Sequence, residues 1–509
     1  MMKNKFYILI IWILVAGITT SCDSFFDIDL KNGVKEEDFY KNSNDLNAAA
    51  FGIYAALAPQ VHQFLLWGSA RADMVTNGSE RDAFVTEFVN NQVSDLNPYT
   101  NYAFLYQAIA RCNQQLENLY KVTPSVSASR KYLDGFYGEA YFVRALCNFW
   151  LVRTFRDFPL LEEDISEQTK YVSSEGDTIV ARTLSLSNED IRSIALQPES
   201  EQKVWSLIQS DLNRALQLLR NSPQWLLDGY AQPAELSKIR ASLKAASTLA
   251  AEVAVWLQQY EKAIAYATGV TGTESLGNAD AWASQFTGTI TNGTAYTLFS
   301  FAYAYDYARE TNRLQEFTSN VEEDGGSYLL KPVMSVYNEI FNETEDCRRI
   351  SAVRINRQPL IWKYIGMDAV GESMREPYES SASFHMIKTA DAFLWQAIAA
   401  NRLGNYDMAF AILNDLRKAR GLEEYQKEDI KMTTPVLERM LFQERARENA
   451  YEGRRWYDLL LMETRLGYDG IIAETVSKKY TNAGLAAAAK ARLSNPENWY
   501  LPIDPENWK

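Results

Sequence analysis

The chain has 509 residues, of which 47% are hydrophobic and 23% charged, so its composition is that of an ordinary globular protein. It carries 65 acidic against 51 basic residues, and the resulting net charge of −14 argues against binding to nucleic-acid phosphates. The two histidines and four cysteines count against histidine-based zinc sites, a Ser-His-Asp triad and a disulfide scaffold.

The first 22 residues have the pattern of a secretory signal. Two lysines form a basic start, residues 6–18 are apolar, and small residues precede Cys22. The apolar run is shorter than the about 20 residues that a membrane-spanning helix needs. A cysteine at this place resembles the acylation site of bacterial lipoproteins, although Thr19 stands where those signals usually carry an aliphatic residue. We expect residues 1–21 to be a signal peptide and Cys22 to be lipidated, so that the protein is anchored by lipid only; an ordinary signal with a chance cysteine is the alternative.

Helical periodicity of apolar residues dominates the rest of the chain. After an acidic tether at 22–35, apolar residues recur at helical spacing over 36–57, 101–121, 132–154, 201–219, 239–258, 260–267, 387–403, 405–420 and 436–452. The intervening segments are rich in Gly, Asn, Thr and aromatic residues. We therefore predict a single domain over 22–509, with a helical scaffold from 36–57, 101–267 and 386–460 and with ligand-face loops at 58–100 and 268–385.

Two helix junctions share a local pattern. In each, a helix end and a short turn are followed by Tyr-x-x-Ala, once at Tyr260 and Ala263 and once at Tyr406 and Ala409. Tetratricopeptide-type helix pairs pack in this way, because the small alanine lets the helices approach and the tyrosine fills the gap at the turn. The pairs do not follow one another at the family's period of about 34 residues, so a regular solenoid is excluded.

A series of longer motifs follows along the chain. They are Arg71-Ala72-Asp73, Tyr102-x-x-Leu105-Tyr106, Glu139-Ala140-x-Phe142-x-Arg144-Ala145, Leu413-Asn414-x-x-Arg417, Glu444-Arg445-x-Arg447-Glu448, Glu452-Gly453-x-Arg455-x-x-Asp458 and Leu501-Pro502-Ile503. Their order resembles that of the SusD/RagB-like outer-membrane lipoproteins of Bacteroidetes nutrient-uptake systems. The segment from Glu444 to Asp458 is the most specific match. Departures occur at Arg156, where the family carries glycine, and at Lys388, where it usually carries arginine.

The resemblance implies a mainly α-helical fold. Tetratricopeptide-like helix pairs would form a right-handed superhelical scaffold, packed against an irregular, loop-rich region with a few short strands. It also implies a lipoprotein of the outer membrane, facing the cell exterior, that acts as lid and substrate receptor for a SusC-like TonB-dependent transporter. Neither catalysis nor a cofactor is expected from it.

Aromatic and polar residues of the predicted loops are the candidate ligand contacts, because loops on a rigid scaffold concentrate binding residues. Exposed aromatic rings stack on the C–H faces of sugars, and polar neighbours bind the hydroxyl groups. The candidates are Trp67, Phe84, Tyr99, Trp282, Tyr305 and Tyr307 for stacking, and Arg71, Asp73 and Asn77 for hydrogen bonding. For Arg71 and Asp73 the alternative is a structural pair that only holds its loop.

Two acidic segments could carry chemistry. Glu444, Glu448 and Glu452 fall on one helix face, and clustered carboxylates can serve acid–base or metal chemistry. Alternating charge on a helix is more often salt-bridge pairing, and no histidine accompanies these residues. The acidic residues at 322–324 lack the spacing of an EF-hand, so we favour a solvated loop over a calcium site and predict no metal.

These patterns favour a cell-surface lipoprotein that binds oligosaccharides or glycans and delivers them to a partner transporter. A peptide receptor of the same kind of uptake complex is one alternative. A scaffold protein without a small ligand is another, and it would leave the loop aromatics packed inward. A glycosidase ranks last, since no pair of carboxylates suited to flank a scissile bond stands out.

Overall fold

The computed structural model describes residues 39–122, 129–156, 158, 169–172, 178–181, 201–220, 226–227, 230–231, 238–287, 296–303, 312–321, 326–366, 373–374 and 382–503. Asn42–Lys509 forms one compact unit, and Met1–Lys41 is a separate one. The predicted signal peptide, Cys22 and the tether lie outside the described residues. Within the described part of the chain, no helix has both the length and the apolar character to span a membrane.

Helices make up most of the described structure. They are α1 (Ser43–Leu57), α2 (Val61–Leu65), α3 (Ala83–Asn90), α4 (Ala103–Asn118), α5 (Arg130–Phe155), α6 (Glu201–Leu219), α7 (Leu243–Trp256), α8 (Tyr260–Thr271), α9 (Ala279–Thr287), α10 (Leu314–Thr318), α11 (Met334–Ile340), α12 (Cys347–Ala352), α13 (Trp362–Ile365), α14 (Thr389–Arg402), α15 (Tyr406–Ala419), α16 (Thr434–Glu448), α17 (Arg455–Arg465), α18 (Ile471–Ser477) and α19 (Ala483–Leu493). A π-helix at Leu66–Ala70 continues α2, and short 3₁₀ turns occur at Ala58–Gln60 and Pro98–Thr100.

Neighbouring scaffold helices pack in a continuous series. α1 packs against α4, α4 against α5, α5 against α6, α6 against α7, α7 against α8, and α8 against α14, which also packs against α15. The small residues of the two Tyr-x-x-Ala patterns, Ala263 in α8 and Ala409 in α15, are buried, as close helix approach requires. The mainly helical fold class is thus confirmed, while the right-handed superhelical path stays a prediction.

Buried charges lock the long helix α5 to its neighbours. Arg144 donates from Nε and Nη2 to both oxygens of Asp211 in α6, at 2.8 and 2.7 Å, and from Nη1 to Asn113 in α4 at 2.7 Å. One turn earlier, Glu139 accepts hydrogen bonds from Tyr54 of α1 at 2.6 Å and from Nε of Arg240 at 2.8 Å. Buried ions need such partners, so the side chains of this motif join α5 to α1, α4 and α6.

The strands form antiparallel two-stranded ribbons. They are β1 (Val75–Asn77) with β7 (Leu330–Pro332), β2 (Thr169–Val172) with β3 (Thr178–Ala181), β4 (Leu226–Leu227) with β5 (Tyr230–Ala231), β6 (Thr297–Phe301) with β10 (Phe384–Lys388), and β8 (Val353–Asn356) with β9 (Gln358–Ile361). In the β6–β10 ribbon, Phe384 lies opposite Phe301 and Ile387 opposite Phe299. All of β6 is buried, so its aromatic residues belong to the core.

The predicted loops contain more regular structure than their sequences indicate. Segment 58–100 holds α2, the π-helix and α3, and segment 268–385 holds helices α9 to α13. These helices are short, between four and nine residues in 268–385, so their periodicity is too brief to recognise by eye. The first scaffold helix also begins later than predicted, at Ser43, because Asn42 and Asp45 form a capping box there.

Candidate functional site

A groove of about 460 Å³ opens between α1 and the end of β6. We call it the aromatic groove; its walls come from Phe51, Tyr54 and Pro59 on one side and Phe301, Ala302 and Tyr303 on the other. Phe51 is 40% exposed, whereas Tyr303 is buried and donates a hydrogen bond from its hydroxyl to the Ala58 carbonyl. Among the described residues that line it, none is charged. The described lining of the groove therefore offers apolar contact area to a ligand.

A polar cluster contacts His62, which follows the groove residue Pro59 in the chain. It consists of Asp82, Tyr99, Arg313 and Glu316. The Tyr99 hydroxyl donates to Asp82 at 2.8 Å, and Arg313 donates from Nε and Nη2 to both oxygens of Glu316 at 2.7 and 2.8 Å. The side chains of Arg313 and Glu316 are 41% and 34% exposed. They can therefore exchange part of their hydration for the hydroxyl groups of a ligand.

His62 connects the two regions. It follows Pro59 of the groove by one helical turn, and its ring packs edge-on against Tyr99 at 6.0 Å and tilted against Phe317 at 5.7 Å. Burial, assisted by Arg313, lowers the pKa of His62 to about 4. The ring is therefore neutral at physiological pH and acts as packing between the groove and the polar cluster.

Tyr99 itself is 8% exposed, less than the sequence analysis expected of a stacking residue. Asn97 caps the turn that carries it, and the backbone N–H of Tyr99 donates to Asn97 at 3.0 Å. Burial and the hydrogen bond to Asp82 raise the pKa of Tyr99 to about 12. Its hydroxyl stays protonated and holds Asp82 in place, while its ring faces His62 and Phe317.

The two candidate tryptophans are in the core, which corrects the expectation of exposed loop rings. Trp67 lies in the π-helix, fully buried against Phe104 and Phe155, and donates from Nε1 to the Tyr99 carbonyl at 2.7 Å. Trp282 lies in α9, also fully buried, and donates from Nε1 to Glu448 at 2.8 Å. Protein atoms occupy the ring faces, because an indole so large contributes most when buried with its N–H satisfied.

Arg71 and Asp73 are buried and hold the frame together, though not by pairing with each other. Asp73 accepts from Nε and Nη2 of Arg455 at 2.9 and 3.0 Å. Arg71 stacks on the Trp456 ring at 3.9 Å and donates to Asn91. Both contacts join the Arg71-Ala72-Asp73 motif to the start of α17. Asp73 therefore has a structural role, with Arg455 as its partner instead of the expected Arg71, and Arg71 lines a second cavity.

The remaining candidates divide into a surface residue, a half-buried one and two outside the described structure. Phe84 is 39% exposed on α3, so its ring is available to a ligand. Asn77 ends β1, and its Oδ1 is buried without a hydrogen-bond partner in the described part of the chain. Tyr305 and Tyr307 lie outside the described residues.

The carboxylates of α16 are not an open catalytic pair. Glu448 accepts from Arg420 at 3.0 and 2.9 Å, and Glu444 lies 2.8 Å from Arg348. Burial opposes ionisation, yet Arg420, Lys388 and Arg348 hold the pKa of Glu448 well below its usual range. The pairing is therefore buried and reaches other segments, whereas the sequence pattern indicated exposed pairing along one helix. Among the described residues, no three potential metal ligands cluster.

Sequence reasoning missed the residues that shape the groove and the polar cluster. The buried stripe of α1 runs through Leu46, Ala50, Ile53 and Leu57 at helical spacing, and Phe51 falls off it. An aromatic residue outside the apolar stripe of an amphipathic helix is a signal that could have identified Phe51. Arg313 and Glu316 carried no such signal, because a surface pair three residues apart is common on helices.

Comparison with known proteins identifies the family. The SusD family model matches residues 285–507, and a second model, described as starch-binding and associating with the outer membrane, matches residues 47–253. SusD-like protein P38 of Formosa agariphila is 23% identical over 495 residues, which cover 87% of this chain and 88% of the relative. SusD-like protein P2 of the same organism is also 23% identical, over 83% of this chain and 84% of its own.

Solved structures share the fold. A SusD superfamily protein from Bacteroides vulgatus has a TM-score of 0.69 at 19% identity, covering 92% of this chain and 97% of its own. A laminarin-binding SusD-like protein has a TM-score of 0.64 at 20% identity, covering 92% and 98%. The residues that the two family models match include the motifs from Arg71-Ala72-Asp73 to Leu501-Pro502-Ile503. The chain belongs to the SusD/RagB-like family.

Proposed function

We propose that this protein is a lipid-anchored receptor of the outer membrane that binds an oligosaccharide and delivers it to a SusC-like TonB-dependent transporter. The observation that carries the proposal is the aromatic groove beside the polar cluster, in a chain whose relatives include a laminarin-binding protein. The exposed ring of Phe51 supplies a stacking face for a sugar. Arg313 and Glu316 supply a donor and an acceptor for hydroxyl groups.

The same lining argues for binding without turnover. Glycoside hydrolysis uses two carboxyl groups on either side of the scissile bond. The described groove lining has no carboxylate. In the polar cluster, Asp82 accepts from the backbone of Phe84 and from Tyr99, and Glu316 is paired with Arg313. We expect oligosaccharides to be recovered intact after prolonged incubation with the protein.

Calorimetric titration against neutral glycans and unrelated peptides tests the ligand class. We expect binding to at least one β-glucan or α-glucan and at least a fivefold weaker affinity in the Phe51→Ala variant, since about 1 kcal/mol per stacked ring corresponds to that factor. Tyr120→Ala is the matched control, because Tyr120 is 52% exposed but belongs to the 3₁₀ turn after α4. Binding to peptides alone would refute the glycan assignment.

A scaffold role without a small ligand is the second candidate. The burial of Trp67, Tyr99 and Trp282 favours it, because a scaffold leaves loop aromatics packed inward. The exposure of Phe51 and Phe84 favours the receptor instead. No response to any glycan or peptide, together with co-purification of a transporter, would decide for the scaffold.

The anchor and the partner need separate experiments. Incorporation of a labelled fatty acid in the native host should depend on Cys22 and be lost in the Cys22→Ala variant. Affinity purification of the membrane-bound protein should recover a TonB-dependent transporter. Absence of label in the wild-type protein, or label that persists in Cys22→Ala, would contradict the lipid anchor, and recovery of no transporter would contradict the partner.

A further inference from the structure

One buried arginine differs from the others in its charge environment. The arginines with fully buried side chains are Arg71, Arg153, Arg348, Arg417, Arg420 and Arg445. Arg153 pairs with Glu252, Arg348 with Asp346, Arg417 with Glu343, Arg420 with Glu448 and Arg445 with Asp458. Within the described part of the chain, Arg71 has no carboxylate at ion-pair distance. Because buried charges in proteins are paired, Arg71 lacks a counter-anion among the described residues.

The contacts of Arg71 satisfy only part of its guanidinium group. Nε donates to Oδ1 of Asn91 at 3.2 Å, and Nη2 donates to the Asn498 carbonyl at 3.0 Å. Nη1 is buried and has no hydrogen-bond partner among the residues that the structure describes. Burial lowers the pKa of Arg71 to about 9, which expresses the cost of holding this cation away from water. An anion placed at Nη1 would relieve that cost.

Arg71 lines a cavity of about 690 Å³, a size suited to small ligands. We call it the basic cavity; it lies between the end of α5, the turn after α3 and the segment after α19. Its charged lining residues are Arg71, Arg156, Arg492 and Glu497, which sum to +2 from three arginines and one glutamate. Glu497 is 72% exposed and lies 3.5 Å from Arg156 at the rim. The cavity is thus locally positive in a chain whose net charge is −14.

We propose that the basic cavity binds the carboxylate of an acidic sugar, such as a uronic acid, with Nη1 of Arg71 as the buried donor. A carboxylate matches the planar guanidinium through charge-assisted hydrogen bonds. The rest of the lining favours a hydroxylated ring over an apolar peptide side chain: Tyr500 offers an aromatic surface at the rim, and Gln92 and Asn498 offer amides. An uncharged sugar leaves the cation unpaired.

This inference is independent of the proposed function. The basic cavity shares no lining residue with the aromatic groove. The protein could therefore bind an acidic sugar in the basic cavity without binding a glycan in the groove, or bind a glycan in the groove without an acidic sugar in the cavity. Phe51→Ala separates the two: it should weaken binding of neutral glycan and leave the affinity for the acidic sugar unchanged.

Calorimetric titration with D-galacturonate, D-galactose and triglycine tests the proposal on the purified full protein. The first two sugars differ only in the oxidation of C6, and triglycine supplies a carboxylate from a peptide. We expect galacturonate to bind at least tenfold more tightly than either competitor, with an affinity that falls as sodium chloride is added. Equal binding of galactose would overturn the proposal, and so would equal binding of triglycine.

A rim variant provides the residue-level test. Arg71→Gln should abolish galacturonate binding, but Arg71 also stacks on Trp456, so this change affects folding as well. Gln92→Glu leaves Arg71 in place and adds a negative charge at an exposed lining position. We expect it to weaken galacturonate binding by about fivefold, or ~1 kcal/mol. Gln426→Glu adds the same charge at an exposed remote position; equal affinity in both variants would refute the assignment.

Discussion

The pair between Asp73 and Arg455 gives the sharpest distinction between a structural and a binding role. Asp73 is a motif residue that the sequence assigns to the ligand face, whereas the structure buries it against Arg455 with two hydrogen bonds of 2.9 and 3.0 Å. The side chains are 3% and 13% exposed. We predict that Asp73→Ala lowers the free energy of unfolding and leaves ligand affinity unchanged.

The magnitude follows from the buried geometry. Removal of one partner from a buried ion pair costs about 3–5 kcal/mol, because the other charge stays behind without compensation. The charge that remains is that of Arg455. Burial lowers the pKa of Arg455, and the carboxylate of Asp73 raises it. With a urea m value of about 4 kcal/mol/M for a unit of this size, the midpoint should fall by about 1 M.

Urea unfolding followed by tryptophan fluorescence measures the effect. Asp407→Ala is the control, because Asp407 pairs with Lys427 on the surface, where both side chains are more than half exposed, and it should cost at most about 0.5 kcal/mol. The double variant Asp73→Leu/Arg455→Met removes both charges and should recover part of the loss. An unchanged midpoint for Asp73→Ala combined with a lost ligand response would refute the structural role.

Three further predictions concern stability and reactivity. The pKa of Glu448 is depressed in the folded state, so its stabilising effect is present above the unfolded pKa of about 4.3 and is lost as the pH falls below it. In Glu448→Gln, the free energy of unfolding should therefore depend less on pH between pH 5 and about 2. The same pH dependence in this variant and in the wild type would contradict the prediction. In Gly68→Ala the new Cβ would lie 1.8 Å from the Gly453 carbonyl oxygen, so we expect urea unfolding to show a free energy of unfolding lower by about 3 kcal/mol or more. Gly269→Ala is the control, because the position has open space, and it should be neutral or stabilising. Burial raises the pKa of the thiols of Cys112 and Cys147. Neither thiol should therefore react with iodoacetamide until the protein unfolds. Rapid labelling of the native protein would contradict this and would show that the helices open locally.

Local patterns were enough for the scaffold. The apolar residues of α6 recur at helical spacing over its full length, and the predicted bounds of 201–219 coincide with Glu201–Leu219. The start of α1 was misplaced by seven residues, at 36 instead of Ser43, although Asn42 with Asp45 three residues later is a readable capping signal. Periodicity and capping are properties of neighbouring residues, so a sequence displays them directly.

The candidate site depended on contacts that neighbouring residues do not reveal. Whether Trp67 or Phe51 is exposed depends on which helices pack over it, and Trp67 is covered by α4 and α5 while Phe51 is not. Glu448 is paired with Arg420 and Arg348, and Arg348 is 100 residues away in the sequence. Composition indicated that aromatic and charged residues would matter, but only the tertiary contacts separate core from surface.

The close approach of the π-helix to the turn before α17 has a consequence for biogenesis. The backbone N–H of Gly453 donates to the Ser69 hydroxyl at 2.8 Å, across 384 residues of chain. A contact of such long range forms late, because the intervening polypeptide must be present before the two ends can meet. During synthesis, the surface of the amino-terminal segment that packs against this turn therefore stays uncovered until Gly453 has been made. Truncated products that end before this turn would leave that surface exposed, so proteases would degrade them more readily than the full chain.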